Sequence, residues 1–315
     1  MKRTLDSEGE ILGQGRFRYR VNRFWGRLDP VRYPVVDCHG VAEDKAGRVL
    51  VLTNETRNNF LAYNKRGELL TTWEHRFPKA HGLELREEQG EEVAWITDHG
   101  IAVVSKCTLD GRELRRVGYE AVAALYPDRE KYRPTNVAVM PEGDFYVSDG
   151  YGSHFVHHFD PDWRYISTFG GVGPAPENFR QPHAVWHDTR PGKPPVLVCD
   201  RGNAALKWFS REGRLERIVP LPGAKPSNVA LWRDGHLIIP SIDGMILVLD
   251  GDDRVVSVIG GEAPRYEGGV LQPIRAFNYS LFHPHDVHID TVGDLYVVQW
   301  NSNNTYPLKL ERLPA

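Results

Sequence analysis

Cysteine is nearly absent: three residues, Cys38, Cys107 and Cys199, lie far apart and show no CxxC spacing. That count is odd, so a disulfide framework is not what organises the chain. Basic charge is not in excess either. Lys and Arg number 39 against 42 Asp and Glu, a net charge of −3, which argues against nucleic acid as a partner. No apolar run approaches the roughly 18–20 residues that a membrane-spanning helix needs, so no membrane partner is expected. The stretch from Met1 to Glu10 lacks the apolar segment of a secretory signal. With so few cysteines, these absences lead to the expectation of a cytoplasmic protein. What remains is a chain of 315 residues, 41% hydrophobic and 26% charged, with enough apolar material for a sizeable core.

The chain repeats itself. A histidine or asparagine recurs at the head of short β-like runs, at His39, His81, Asn136, His183, Asn228 and His285, with spacings of 42, 55, 47, 45 and 57 residues. Self-similarity at that period signals a repeat architecture. Behind each such position come further short strands rich in β-branched and aromatic residues, broken by Gly, Asp and Pro turns. The segment from Asn136 to Phe169 is the clearest copy. These are hairpin meanders. Six copies of about four strands predict an all-β, six-bladed β-propeller, spanning residues 1–315 as one domain with residues 1–15 as an N-terminal extension. The last copy runs short after Tyr306, so a strand within Arg16–Leu28 is expected to complete it and join the two ends. Glu120–Tyr126 is the one stretch that reads as helical. Gly170-Gly171-Val172-Gly173-Pro174 lacks the strand-to-helix context of a phosphate loop and reads as an outer hairpin turn.

In a propeller the first strand of every blade faces the central channel, so the six ring residues should line it. Several imidazoles on one channel form a metal-site constellation, since zinc takes histidine nitrogen and a catalytic site keeps one position open. The alternative is that these histidines only hydrogen-bond to one another, to water or to backbone.

Five ordered matches sharpen this reading: His81-Gly82-Leu83, Val147-Ser148-Asp149-Gly150-Tyr151, Phe179-Arg180-Gln181-Pro182-His183, Asp200-Arg201-Gly202-Asn203 and Pro284-His285-Asp286. In these the chain resembles the peptidyl-α-hydroxyglycine α-amidating lyase family, zinc-dependent enzymes on a six-bladed propeller of NHL-type repeats. The resemblance implies zinc on His81, His183 and His285, with Tyr151 as catalytic base and Arg201 as a guanidinium facing the substrate. It also implies a structural calcium on the backbone oxygens of Val41 and Leu83 and the carboxylate of Asp286. Tyr151 has an alternative as a buried aromatic turn residue, Arg201 as a solvated ion-pair partner, and Asp286 as the group orienting an imidazole.

The chain also departs from the family. Asn54 stands where a second arginine is expected, and with the ring asparagines Asn136 and Asn228 it is assigned to substrate contact. His283 replaces a methionine, Gly152 replaces a cysteine, and His39 is an extra imidazole, so His39 and His283 are further candidate metal ligands. The implied activity is a metal-dependent lyase splitting a C–N bond in a small α-hydroxylated substrate, such as an N-acyl-α-hydroxyglycine or ureidoglycolate. A gluconolactonase-like metal hydrolase is the enzymatic alternative, and a non-catalytic NHL-repeat binding module is the other.

Overall fold

The computed structural model describes residues 9–74, 76–277 and 280–314. Its β-strands form six four-stranded antiparallel blades in chain order, one of them extended by a fifth short strand, together with one small two-stranded hairpin. The fold class is the six-bladed β-propeller expected from the repeats. By compactness the chain divides into two units. One comprises Met1–Thr72 and Pro220–Ala315 and the other Trp73–Val219. The first carries blades one, five and six, the second blades two, three and four.

Within most blades burial is most complete in the second strand and least in the fourth. Second strands such as Val49–Thr53, Val196–Asp200 and Leu237–Ser241 are buried at every position, on both faces. That is why they read as continuous apolar runs rather than alternating ones. Fourth strands such as Leu215–Pro220 are largely exposed. Turns between strands are held by an aspartate accepting backbone N–H groups further along. Asp160 takes the amide of Arg164, and Asp250 those of Asp252 and Arg254, the local bonding that makes Asp a turn residue.

Neighbouring blades share their apolar faces. In the first unit, Ile238, Ile246 and Val248 of blade five pack with Val287, Leu295 and Val297 of blade six. In the second, Trp95 of blade two stacks on Trp163 at 4.6 Å between ring centroids, beside Phe145 and Phe159 of blade three.

Blade six is completed as expected, by Tyr19–Asn22 pairing with Leu308–Arg312. The completing strand is shorter than the Arg16–Leu28 stretch. Ile11–Leu12, assigned by sequence to an extension, pairs with Tyr19–Asn22 as a fifth strand. Two local expectations are corrected. Glu120–Tyr126 lies in two 3-10 turns, Tyr119–Ala121 and Ala123–Leu125, too short to complete an α-helical ladder. The glycine-rich stretch at 170–174 closes the last strand of blade three and leads into blade four, so it connects blades and is not a hairpin turn.

Candidate functional site

Each of the four ring histidines sits at an irregularity of register. The pairing of first with second strand shifts between Cys38 and Gly40, Ala80 and Leu83, Pro182 and Ala184, and Pro284 and Asp286. His39, His81, His183 and His285 are therefore inside their strands, at bulges, and not just ahead of them. A bulge re-aims the side chain at its extra residue, and all four imidazoles are buried. Asn136 opens its strand in regular pairing with Ser148, and Asn228 precedes the short strand Ala230–Leu231.

In the unit formed by blades two to four, His81 and His183 converge on Tyr151. The Tyr151 hydroxyl lies 3.0 Å from Nε2 of each imidazole. His81 Nδ1 lies 2.7 Å from the carbonyl oxygen of Thr135. A carbonyl only accepts, so Nδ1 carries the proton and His81 Nε2 presents a lone pair. The Tyr151 hydroxyl can then donate to His81, with His183 Nε2 on the other side of the phenol oxygen. Tyr151 is half-buried in the turn after the second strand of blade three, which places it at the site and not in the core.

Gly152 follows for a steric reason. A Cβ there would sit 2.1 Å from both Asp149 Oδ1 and the Lys131 carbonyl, which leaves no room for cysteine.

Sequence reasoning passed over His99. It occupies in blade two the turn that Tyr151 occupies in blade three, with ring centroids 5.2 Å from Tyr151 and 5.7 Å from His81. Burial lowers its pKa from the usual histidine value, Asp98 opposes that shift, and the charges of Arg133 and Lys79 add to it. The signal was available: Asp98, Asp149 and Asp200 each mark the end of a second strand. Asp98 and Asp200 take the loop amides leading into their own blades, at Lys79 for one and at Arg180 and Gln181 for the other. The residues just after these aspartates face the same end of their blades. Arg201 occupies that turn in blade four, buried away from solvent and with its amide donating to the Gln181 carbonyl.

In the other unit, His39 and His285 form a pair. His285 Nδ1–H donates to the His39 carbonyl at 2.8 Å, which leaves Nε2 as acceptor for His39 Nδ1–H at 3.3 Å. This is the arrangement of His81 repeated: Nδ1 held by backbone, Nε2 with its lone pair outward. It is how proteins orient imidazole for a metal. Asp286 is buried and accepts N–H groups from Val41 at 2.9 Å, Val287 at 2.8 Å and Asn228 at 2.7 Å. Burial pushes its carboxyl up to about 7 against the pull of those donors. Val41 pairs with Val51 and Leu83 with Ile96 in their blades, so both backbones belong to regular ladder. Asn54 is engaged with Asp37, accepting its amide at 2.9 Å. His283 Nδ1 lies 3.1 Å from the Asn301 carbonyl, held among its loop neighbours.

Similarity to known proteins follows the fold. An NHL repeat is matched at residues 132–159, most of blade three. The chain is 30% identical over 247 residues to peptidyl-glycine alpha-amidating monooxygenase B of Xenopus laevis, covering 75% of this chain and 26% of that protein. It is 25% identical over 330 residues to peptidyl-alpha-hydroxyglycine alpha-amidating lyase 1 of Drosophila melanogaster, covering 95% of this chain and 54% of that one. The chain thus spans about a quarter of the first relative and about half of the second. A streptogramin B lyase structure superposes with a TM-score of 0.61 at 13% identity, covering 95% of this chain and 98% of that one, a likeness of fold alone. The class defined here is a β-propeller bearing an NHL repeat, with relatives that carry enzyme names.

Proposed function

We propose that this chain is a metal-dependent lyase that breaks a C–N bond next to a hydroxyl-bearing carbon in a small acid, releasing an amide and an aldehyde acid. The observation that carries this reading is the Tyr151 hydroxyl set 3.0 Å from Nε2 of both His81 and His183. A phenol held against two imidazoles, one with its lone pair fixed by the Thr135 carbonyl, combines a base and metal-ligand nitrogens at one point. The donor set fits zinc, whose sites use buried imidazole nitrogens oriented by backbone carbonyls. His81 and His183 would hold the metal, with His285 as the third ligand by the sequence resemblance. When bound, such a metal supplies a Lewis acid that polarises a hydroxyl or carboxylate oxygen.

The chain's own residues do the rest. Ionised as the phenolate, the Tyr151 oxygen takes the proton of the substrate hydroxyl. Electrons from that O–H bond form the carbonyl of the aldehyde acid as the C–N bond breaks, and the nitrogen leaves with a proton as the amide. Arg201, buried in the adjoining turn of blade four, is the guanidinium the resemblance assigns to the substrate carboxylate.

The test has two parts. Elemental analysis of chelator-free protein should find about one transition-metal ion per chain. Incubation with N-acyl-α-hydroxyglycines and ureidoglycolate should release glyoxylate. Protein that is metal-free as purified and takes up none on addition would overturn the reading.

A further inference from the structure

A cleft of about 240 Å3 opens beside this site in the same unit, lined by Lys79, His99, Arg129, Glu130, Tyr132 and Arg133. Its inner wall is His99, whose ring packs edge-on against Tyr151 at 5.2 Å. Three cations face it. Arg129 Nη2 donates to the Ile101 carbonyl at 2.7 Å and Arg133 Nε to the Glu130 carbonyl at 3.1 Å. Those backbone bonds steady the guanidinium groups without neutralising them. Among the described residues no carboxylate forms an ion pair with Lys79, Arg129 or Arg133. Two shielded polar atoms on the lining also lack a hydrogen-bond partner there, His99 Nδ1 and the hydroxyl of fully buried Tyr132. In a chain whose net charge is −3, three unpaired cations around one concavity are a local concentration of the opposite sign.

Resting on the lyase reading above, we propose that this cleft is an anion subsite, and that the substrate is a small double acid: an α-hydroxylated N-acylglycine whose acyl end carries a second carboxylate. Arg201 takes the carboxylate next to the reacting carbon. The cleft takes the far one, from Lys79, Arg129 and Arg133. Guanidinium groups suit a planar carboxylate because they offer paired N–H donors. Glu130 on the rim, and the Asp98 and Asp149 carboxylates that accept the Lys79 and Arg133 amides behind the wall, offset much of that charge, which suits a single carboxylate better than a polyphosphate. The volume admits an acid of a few carbon atoms and falls below what a drug-sized ligand fills.

Binding can be measured without turnover, using the non-reactive analogues N-succinylglycine, with two acid groups, and N-butyrylglycine, of the same length with one. By calorimetric titration the full chain should bind the succinyl compound at least about tenfold more tightly. That ratio should shrink on raising the salt, since the cleft is open to solvent. In the triple variant Lys79→Gln, Arg129→Gln, Arg133→Gln it should fall close to one. If the triple variant melts early, the single Arg129→Gln variant, at an exposed position, should still lower the ratio measurably. Equal binding of the two compounds by the parent protein overturns the proposal, as does a ratio that survives the triple substitution. Inorganic phosphate displacing N-succinylglycine at lower concentration than succinate does would overturn the carboxylate assignment. If the binding difference holds but no hydroxylated analogue is turned over, the subsite stands and the lyase reading falls.

Discussion

Among the described residues the Tyr151 hydroxyl makes two polar contacts, both to imidazole nitrogens, so removing it should separate chemistry from stability. Tyr151→Phe is expected to lower kcat by roughly 10²–10⁴, the usual loss for a general base. The stability cost should stay near 1–2 kcal/mol, the range for one broken hydrogen-bond pair. Full activity in that variant would remove Tyr151 from the mechanism. A second residue-scale prediction concerns His157, fully buried in blade three between the Tyr126 hydroxyl at 2.6 Å and Thr168 Oγ1 at 2.7 Å. Burial lowers its pKa from 6.5 to about 3. The folded state therefore resists protonation that the unfolded chain accepts. The stability from keeping this imidazole neutral is whole above about pH 6.5 and declines as the pH falls from there toward 3. The slope contributed is at most about 1.4 kcal/mol per pH unit. Denaturant unfolding between pH 7 and pH 4 should show this decline, and His157→Phe should flatten it. An unchanged slope in that variant would place the acid sensitivity elsewhere.

At the scale of elements, the turn after each second strand carries the candidate chemistry, and it depends on close approach of backbone. A Cβ on Gly150 would lie 2.6 Å from the Pro182 carbonyl and 2.7 Å from Thr135 Oγ1, with His183 Cα at 3.1 Å. Gly150→Ala should therefore cost about 1–3 kcal/mol through overpacking and shift the neighbouring Tyr151, lowering activity as well as the melting temperature. Gly251→Ala, with nothing near its Cβ, should stay within about 0.5 kcal/mol of the parent. Equal melting temperatures for the two variants would sink the close-packing argument. The blades themselves were legible in the sequence, because fully buried second strands such as Val49–Thr53 and Leu237–Ser241 leave unbroken apolar runs between Gly and Asp turns. The ring histidines were legible as a period, but their bulges were not, since an extra residue in a strand leaves the apolar pattern almost intact. His99 escaped notice because nothing in its immediate sequence marks it. Only the aspartate before it, read against Asp149 and Asp200, aligns the three turns. The cleft cations were beyond reach: Lys79 and Arg133 are separated by the whole of blade two, and only folding brings them to the same concavity.

For the whole molecule, the question is how a chain built of repeated blades ends its last one. Blade six takes three strands from the C-terminal end and borrows Tyr19–Asn22 from the N-terminal segment, paired residue by residue from Tyr19 with Arg312 to Asn22 with Lys309. The borrowed segment also reaches blade five. The Gln14 side chain donates to the carbonyls of Val258 and Gly261 and accepts the Val258 amide. Leu12, Phe17, Tyr19 and Val21 are each at most 5% exposed and sit in the core shared by blades five and six. At roughly 1.5–3 kcal/mol for each buried apolar side chain, those four contribute about as much as the ~5–15 kcal/mol that separates a folded domain from its unfolded chain. Without them the strand Leu308–Arg312 would also become an exposed sheet edge, which invites association between chains. A variant beginning at Arg23 is therefore expected to lose its cooperative melting transition or to aggregate. A synthetic peptide of residues 9–22, added in trans, should restore folding by filling the open edge. Such a truncated chain melting with the same midpoint and cooperativity as the parent would show that blade six holds without its borrowed strand.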